Sequence, residues 1–136
     1  MQSRQKGGSV KEVVRTEGAP APFQGAPYSQ AIKAGGLVFV AGQVGVMPDN
    51  PVPVGDTIQE QTEQTIQNLR AILEAAGSGI DRLVKTTVFL TNLDDFQGMN
   101  EVYARHVGDQ PPARSTFEVS KLPPGLLVEI EAIALQ

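Results

Sequence analysis

Three charged side chains near the C-terminus carry the first chemical signal. In 128-VEIEAIA-134, Glu129 and Glu131 alternate with Val128, Ile130, Ala132 and Ala134. A strand has a side-chain period of two, so both carboxylates share a face with Ile133 and the apolar residues take the other. Upstream, Arg114 follows Pro111 and Pro112 and opens 114-RSTFEV-119. A guanidinium offers a planar fork of donors that matches the two oxygens of a carboxylate. An unpartnered buried charge is costly. Arg114 therefore either pairs internally with Glu129 or Glu131, or holds a small acid from solution, and the two carboxylates are either a solvated outer face or part of that site.

The remaining polar candidates are weaker one by one. Tyr28 leaves the loop 18-GAPAPFQGAPYSQ-30 and either closes a pocket or packs, Asn100 lies within a helical pattern, and His106 sits near that helix's end, where a dipole contact or packing explains it. No GxSxG elbow, glycine-rich phosphate loop or HExxH pair occurs. Cysteine is absent, which removes thiolate chemistry and disulfides and fits a reducing compartment. With one histidine, a metal site would need carboxylates for nearly all its ligands, so none is expected. The net charge of −4, without a run of Lys or Arg, argues against a nucleic-acid partner. No window approaches the roughly 18 apolar residues of a membrane span, and the first ten residues lack a secretory core, so a cytoplasmic protein with no membrane partner is expected.

The elements that must position these residues fit one domain of 136 residues. Residues 1–9 read as a flexible tail and 10–136 as the domain. Residues 10–16, 29–34 and 37–42 read as strands, the last two joined by a Gly-Gly hairpin turn, and 45–56 as a loop. Residues 57–77 read as a helix, with Asp56 and Gln59 as a capping box and Gly77 as its stop. A strand over 83–90 precedes a second helix over 92–107, capped by Asn92 or Asp94, with Phe96, Met99, Val102, Tyr103 and His106 along one stripe. Residues 114–119 and 127–134 read as a hairpin around 122-LPPG-125. Two helices cover one face of such a sheet. The other still shows apolar side chains, which implies burial against copies of the chain.

The runs 112-PARSTFEVSKLPPGLLVEIEAIA-134, 25-GAPYSQAI-32, 40-VAGQVG-45, 68-NLRAILEAAG-77 and 84-VKTTVFLTNLDDFQGMNEVY-103 together resemble the RidA (YjgF/YER057c/UK114) family of reactive-intermediate deaminases, from about residue 11 to the end. The resemblance implies an α+β, chorismate-mutase-like two-layer fold: a mixed sheet with two helices on one face, assembled as a homotrimer with active sites between subunits. It implies hydrolysis, without a cofactor, of enamines and imines such as 2-aminoacrylate, 2-iminopropanoate and 2-iminobutanoate to 2-oxo acids and ammonia. By position, Arg114 corresponds to the family arginine that holds the substrate carboxylate, and Glu129 to the acid that positions water. Tyr28 and Asn100 correspond to polar residues of the cleft, and Gly42 and Gln43 to the turn beside it. Ala41 and Thr116 depart from the serine and cysteine frequent in the family, with Thr116 retained as a substrate-binding position. Two other functions compete: a non-catalytic 2-oxo acid or small-carboxylate sensor built on the same Arg114 pocket, and an endoribonuclease, for which an acidic chain with one histidine is poorly equipped.

Overall fold

The computed structural model describes residues 10–136, so the tail expected over 1–9 lies outside the described residues. Ten elements follow one another: β1 (Glu12–Val14), β2 (Ala31–Ala34), β3 (Leu37–Val44), β4 (Val46–Met47), β5 (Asn50–Pro53), α1 (Ile58–Ala75), β6 (Leu83–Leu90), α2 (Phe96–Val107), β7 (Ala113–Glu118) and β8 (Val128–Leu135). Six strands form a mixed sheet in the order β1-β2-β3-β8-β6-β7, while β4 and β5 pair separately. The fold is α+β, with both helices on one face.

β2 and β3 close as a two-residue hairpin because Gly35 and Gly36 adopt φ of 60° and 80°, which a Cβ would penalise. β3 then pairs with β8, with an extra residue between Val40 and Gln43 opposite Ala132 and Ile130. That bulge falls at Ala41–Gly42. The helix face of the sheet carries Val38, Val40, Val88, Leu90, Val128, Ile130, Ala132 and Ala134, all buried against Ile66, Leu69, Ile72 and Leu73 of α1 and Met99 and Val102 of α2.

α1 starts one residue later than the capping signal suggests. Thr57, not Asp56, accepts from the Glu60 amide at 3.1 Å, and Glu60 returns a carboxylate to Thr57 N–H at 3.3 Å. Its end is as expected: Gly77 has φ 82°, and the Gly77 and Ser78 amides donate to the Glu74 and Leu73 carbonyls. Buried amides on α1 secure the neighbouring loops. Gln61 donates to the Gly55 and Gly125 carbonyls and accepts from Leu127 N–H, and Asn68 donates to the carbonyls of Val44 and Val46. The second helix also begins late, after a 3-10 turn over 93–95 at which Asn92 accepts from Asp94 N–H.

Two expectations fail. The segment 45–56 is not wholly loop, since β4 and β5 form a small ribbon within it. More important, β7 and β8 are not a hairpin. β7 runs parallel to β6 after the α2 crossover, and β8 lies on the far side of β6, antiparallel to it. The physical reason is burial: the fully apolar face of β8 is covered only in a central position, whereas a hairpin return would leave it at the sheet edge. The opposite face of the sheet has no helix over it and exposes Val13, Phe39, Phe117 and Leu135. Among the described residues, no helix is long and apolar enough to cross a membrane.

The α1 cap supplies a test of this architecture. Thr57→Ala removes one half of the reciprocal pair and is expected to cost about 1 kcal/mol in urea denaturation, whereas Asp56→Ala should leave the midpoint unchanged.

Candidate active site

Glu129 stands opposite Val44 of β3 and Phe89 of β6, on the uncovered face of the sheet. Its carboxyl reaches the β3 bulge, where Gly42 leaves room for it: a Cβ on Gly42 would lie 2.8 Å from Glu129 Cδ and 3.0 Å from Cγ, overlapping the carboxyl. Gly42 makes room by close approach rather than by φ, and a side chain there would displace the Glu129 carboxyl. The two residues line a cavity of about 300 Å³ with Phe23, Tyr28, Ala41, Val44 and Pro123. Burial pushes the Glu129 carboxyl above its ordinary range, and the Glu131 carboxylate adds to the shift. The Tyr28 hydroxyl accepts from Phe23 N–H at 2.7 Å and keeps its own proton to donate.

Arg114 belongs to a second cluster. It pairs with Thr86 across the parallel β6–β7 ladder, and Thr86 faces the helices. The guanidinium therefore extends beneath α2, with its carbon 4.8 Å from the Tyr103 ring centre and 5.5 Å from that of Phe96. Asn100 lies between those residues on α2, and its Oδ1 is buried without a hydrogen-bond partner. Thr116, two residues along β7, lines an open cavity of about 620 Å³ with Leu93, Asp94, Phe96 and Gln97.

An internal pairing of Arg114 with Glu129 or Glu131 is therefore wrong. β6 separates the two strands, and Arg114 lies on the helix face while both carboxylates lie on the other. Among the described residues the ion pairs are Lys33–Glu12 and His106–Glu63, and neither uses Arg114. One chain assembles two half-sites: Tyr28, Gly42 and Glu129 in one, Asn100, Arg114 and Thr116 in the other. Gln43 joins neither through its side chain. It is buried opposite Ile130, on the helix face, and donates to the Ala41 carbonyl at 3.2 Å across the bulge.

Phe96 and Tyr103 read from the sequence as packing alone. Their spacing from Asn100, four residues before and three after, is the available signal, since it places all three on one side of a helix. The overlap of Gly42 with Glu129 has no such signal, because it depends on the bulge. A larger cavity of about 740 Å³, lined by Arg15, Gln30 and Asp49, shares only Tyr28 with these clusters. Among the described residues, no group of three or more His, Cys, Asp and Glu side chains is placed to hold a metal ion.

Residues 16–136 match the family model described as Endoribonuclease L-PSP. A RutC family protein of Pyrococcus horikoshii is 50% identical over 125 residues, covering 92% of this chain and 98% of the relative. The chloroplastic Reactive Intermediate Deaminase A of Arabidopsis thaliana is 47% identical over 124 residues, 91% of this chain and 65% of that protein. Among solved structures, Escherichia coli TdcF with bound serine superposes with a TM-score of 0.84 at 36% identity, covering 92% of this chain and 98% of that one.

His106 lies apart from both half-sites. Its Nε2 is 2.8 Å from Glu63 Oε1 and its Nδ1 is 3.0 Å from Arg70 Nη2, tying α2 to α1. The Gln67 hydrogen bond, followed by that of His106, holds the Glu63 carboxyl below its ordinary range. A depressed carboxyl stabilises the fold above its unfolded pKa and loses that contribution as pH falls through the folded value. Glu63→Gln should thus flatten the acid limb of the stability profile, read by thermal melts between about pH 3 and 7. His106→Asn should lower the melting temperature slightly, because it breaks the tie between α2 and α1.

Proposed function

The chain belongs to the Endoribonuclease L-PSP family, and on that footing we propose that it is a hydrolytic deaminase of small enamine and imine acids, such as 2-aminoacrylate, 2-iminopropanoate and 2-iminobutanoate. The observation that carries the reading is the half-buried Arg114 guanidinium, laid on two aromatic faces and free of any carboxylate partner among the described residues. A fork of donors held this way suits a small carboxylate. The deaminase relative in Arabidopsis and the serine bound to TdcF support a ligand of this size and charge.

The two half-sites lie on opposite faces of one sheet, so a complete site requires two chains. The exposed apolar face supplies the reason for assembly, and we take the assembly to be a homotrimer that sets Arg114 of one subunit near Glu129 of the next. In the reaction, Arg114 holds the substrate carboxylate while Glu129 takes a proton from water as its oxygen attacks the imine carbon. An enamine first gains a proton at its methylene carbon. The attacked nitrogen is protonated, the carbon–nitrogen bond breaks, and the products are a 2-oxo acid and ammonia. Raising the Glu129 pKa makes it a stronger base for this step. No cofactor enters, because the substrate is already electrophilic.

The family's name favours a nuclease. Against it stand the net charge of −4 and a lone histidine engaged by Glu63 and Arg70. A non-catalytic sensor of 2-oxo acids would use the same Arg114 and differs only in lacking turnover. A cytoplasmic setting accords with the cysteine-free sequence.

The test couples a threonine or serine dehydratase to 2-oxo acid release. Arg114→Ala should lose turnover and 2-oxobutanoate binding together, by tens to thousands-fold, the equivalent of roughly 2–5 kcal/mol. Arg114→Lys should recover little, and Glu129→Gln should bind 2-oxobutanoate without turning over. Near-normal activity of Arg114→Ala would overturn the reading. Light scattering should give three times the 14.5 kDa of one chain; a monomer at micromolar concentration would remove the shared site.

A further inference from the structure

Arg114 comes from β7, the outermost strand of its sheet, so no neighbouring strand flanks it on one side. A long side chain in that place has many rotamers, and fixing its guanidinium in one plane opposes that freedom. The structure supplies a support of unequal parts. Phe96 is 39% exposed and forms the outer lip, whereas Tyr103 is 6% exposed and sits in the core stripe of α2. The Tyr103 hydroxyl lies 2.6 Å from Thr86 Oγ1, a contact that is itself buried. Thr86 is the residue directly paired with Arg114 on the adjacent strand. Strand pairing, the buried hydroxyl contact and the ring face close a triangle of Thr86, Tyr103 and Arg114.

We propose that Tyr103 is a positioning residue for the anion site: its ring, fixed by Thr86, is the shelf that sets the plane of the Arg114 guanidinium. A cation over a ring face uses the ring's negative quadrupole and leaves the N–H edge of the fork free. The shelf therefore orients the arginine while leaving most of its five donors free, whereas an acidic partner would take a pair of them. Burial raises the Tyr103 pKa, opposed first by the Thr86 hydrogen bond, then by the Arg114 charge and by a hydrogen bond from Arg114. The phenol stays neutral at physiological pH and does not itself compete as an anion for Arg114.

This inference rests on the reading of Arg114 as the substrate's carboxylate site, and the test separates the two. Calorimetry with 2-oxobutanoate and dehydratase-coupled turnover are measured for Tyr103→Phe, Tyr103→Leu and Arg114→Ala, and for Tyr103→Leu combined with Arg114→Ala. Tyr103→Phe keeps the π face but frees the ring from Thr86, and its affinity should fall between those of the parent and Tyr103→Leu. Tyr103→Leu removes the π face and should weaken binding and raise KM by about tenfold or more, with a smaller change in kcat, as expected for a desolvated cation–π contact. In the Arg114→Ala background the same change should have no further effect on binding. Tyr103→Met, which also lacks a π face, carries the same expectation should the leucine variant fail to fold. If Arg114→Ala abolishes binding while folded Tyr103→Leu or Tyr103→Met binds normally, the shelf is overturned and the anion site stands. Equal losses from Tyr103→Leu with and without Arg114 would likewise make Tyr103 purely structural. If Arg114→Ala itself binds normally, the anion site falls, and the shelf with it.

Discussion

The constraint on which the molecule depends is the central position of β8. One side of that strand presents Val128, Ile130, Ala132 and Ala134 to the helices and completes the core. The other side presents Glu129 and Glu131 to a face that this chain leaves uncovered. The period of two makes these roles inseparable, because a one-residue slip would send the carboxylates into the core and the aliphatic residues outward. Partners β3 and β6 hold the register, and Gln61 secures the chain just before β8 through Gly125 and Leu127. The Glu129 carboxyl is thus placed by the same contacts that build the core.

Each half-site is electrostatically unfinished in one chain. Glu129 is partly desolvated beside a like charge, which disfavours its ionised form, and Arg114 has no carboxylate partner among the described residues. Asn100 adds a buried acceptor with no donor. Unsatisfied groups of this kind cost stability and persist where something external completes them. What these groups lack is an anion beside Arg114 and a donor beside Asn100. Within one chain Arg114 and Glu129 cannot neutralise each other, because the sheet stands between them.

Much of this is legible in the sequence, and the failures that bear on the candidate site share a cause. Alternation in 128-VEIEAIA-134 marks the two faces of β8, helical spacing marks α1 and most of α2, and Gly77 marks a stop. The errors fall where segments close in sequence are not neighbours in space. Residues 114–119 and 127–134 are separated by a short proline turn, the usual sign of a hairpin, yet β6 lies between them. Periodicity reports which face a side chain takes relative to its own strand and is silent on strand order. Placing Arg114 beside Glu129 within one chain is thus a topological error. It also conceals Tyr103, whose role becomes visible only once Arg114 is placed beneath α2.

Ala41 and Thr116 fall on the walls of the half-sites. Ala41 lines the Glu129 cavity and contributes one half of the bulge, beside the contact between Gly42 and Glu129. Thr116 faces the helix side next to Arg114, on the rim formed by Leu93 and Phe96. Its hydroxyl offers a donor and an acceptor beside a methyl group. The guanidinium, the ring shelf and the carboxylate at the bulge are independent of both positions. A change at either position would therefore alter the shape of the two cavities while Arg114 and Glu129 keep their places, because the walls and the charged groups are set by different contacts.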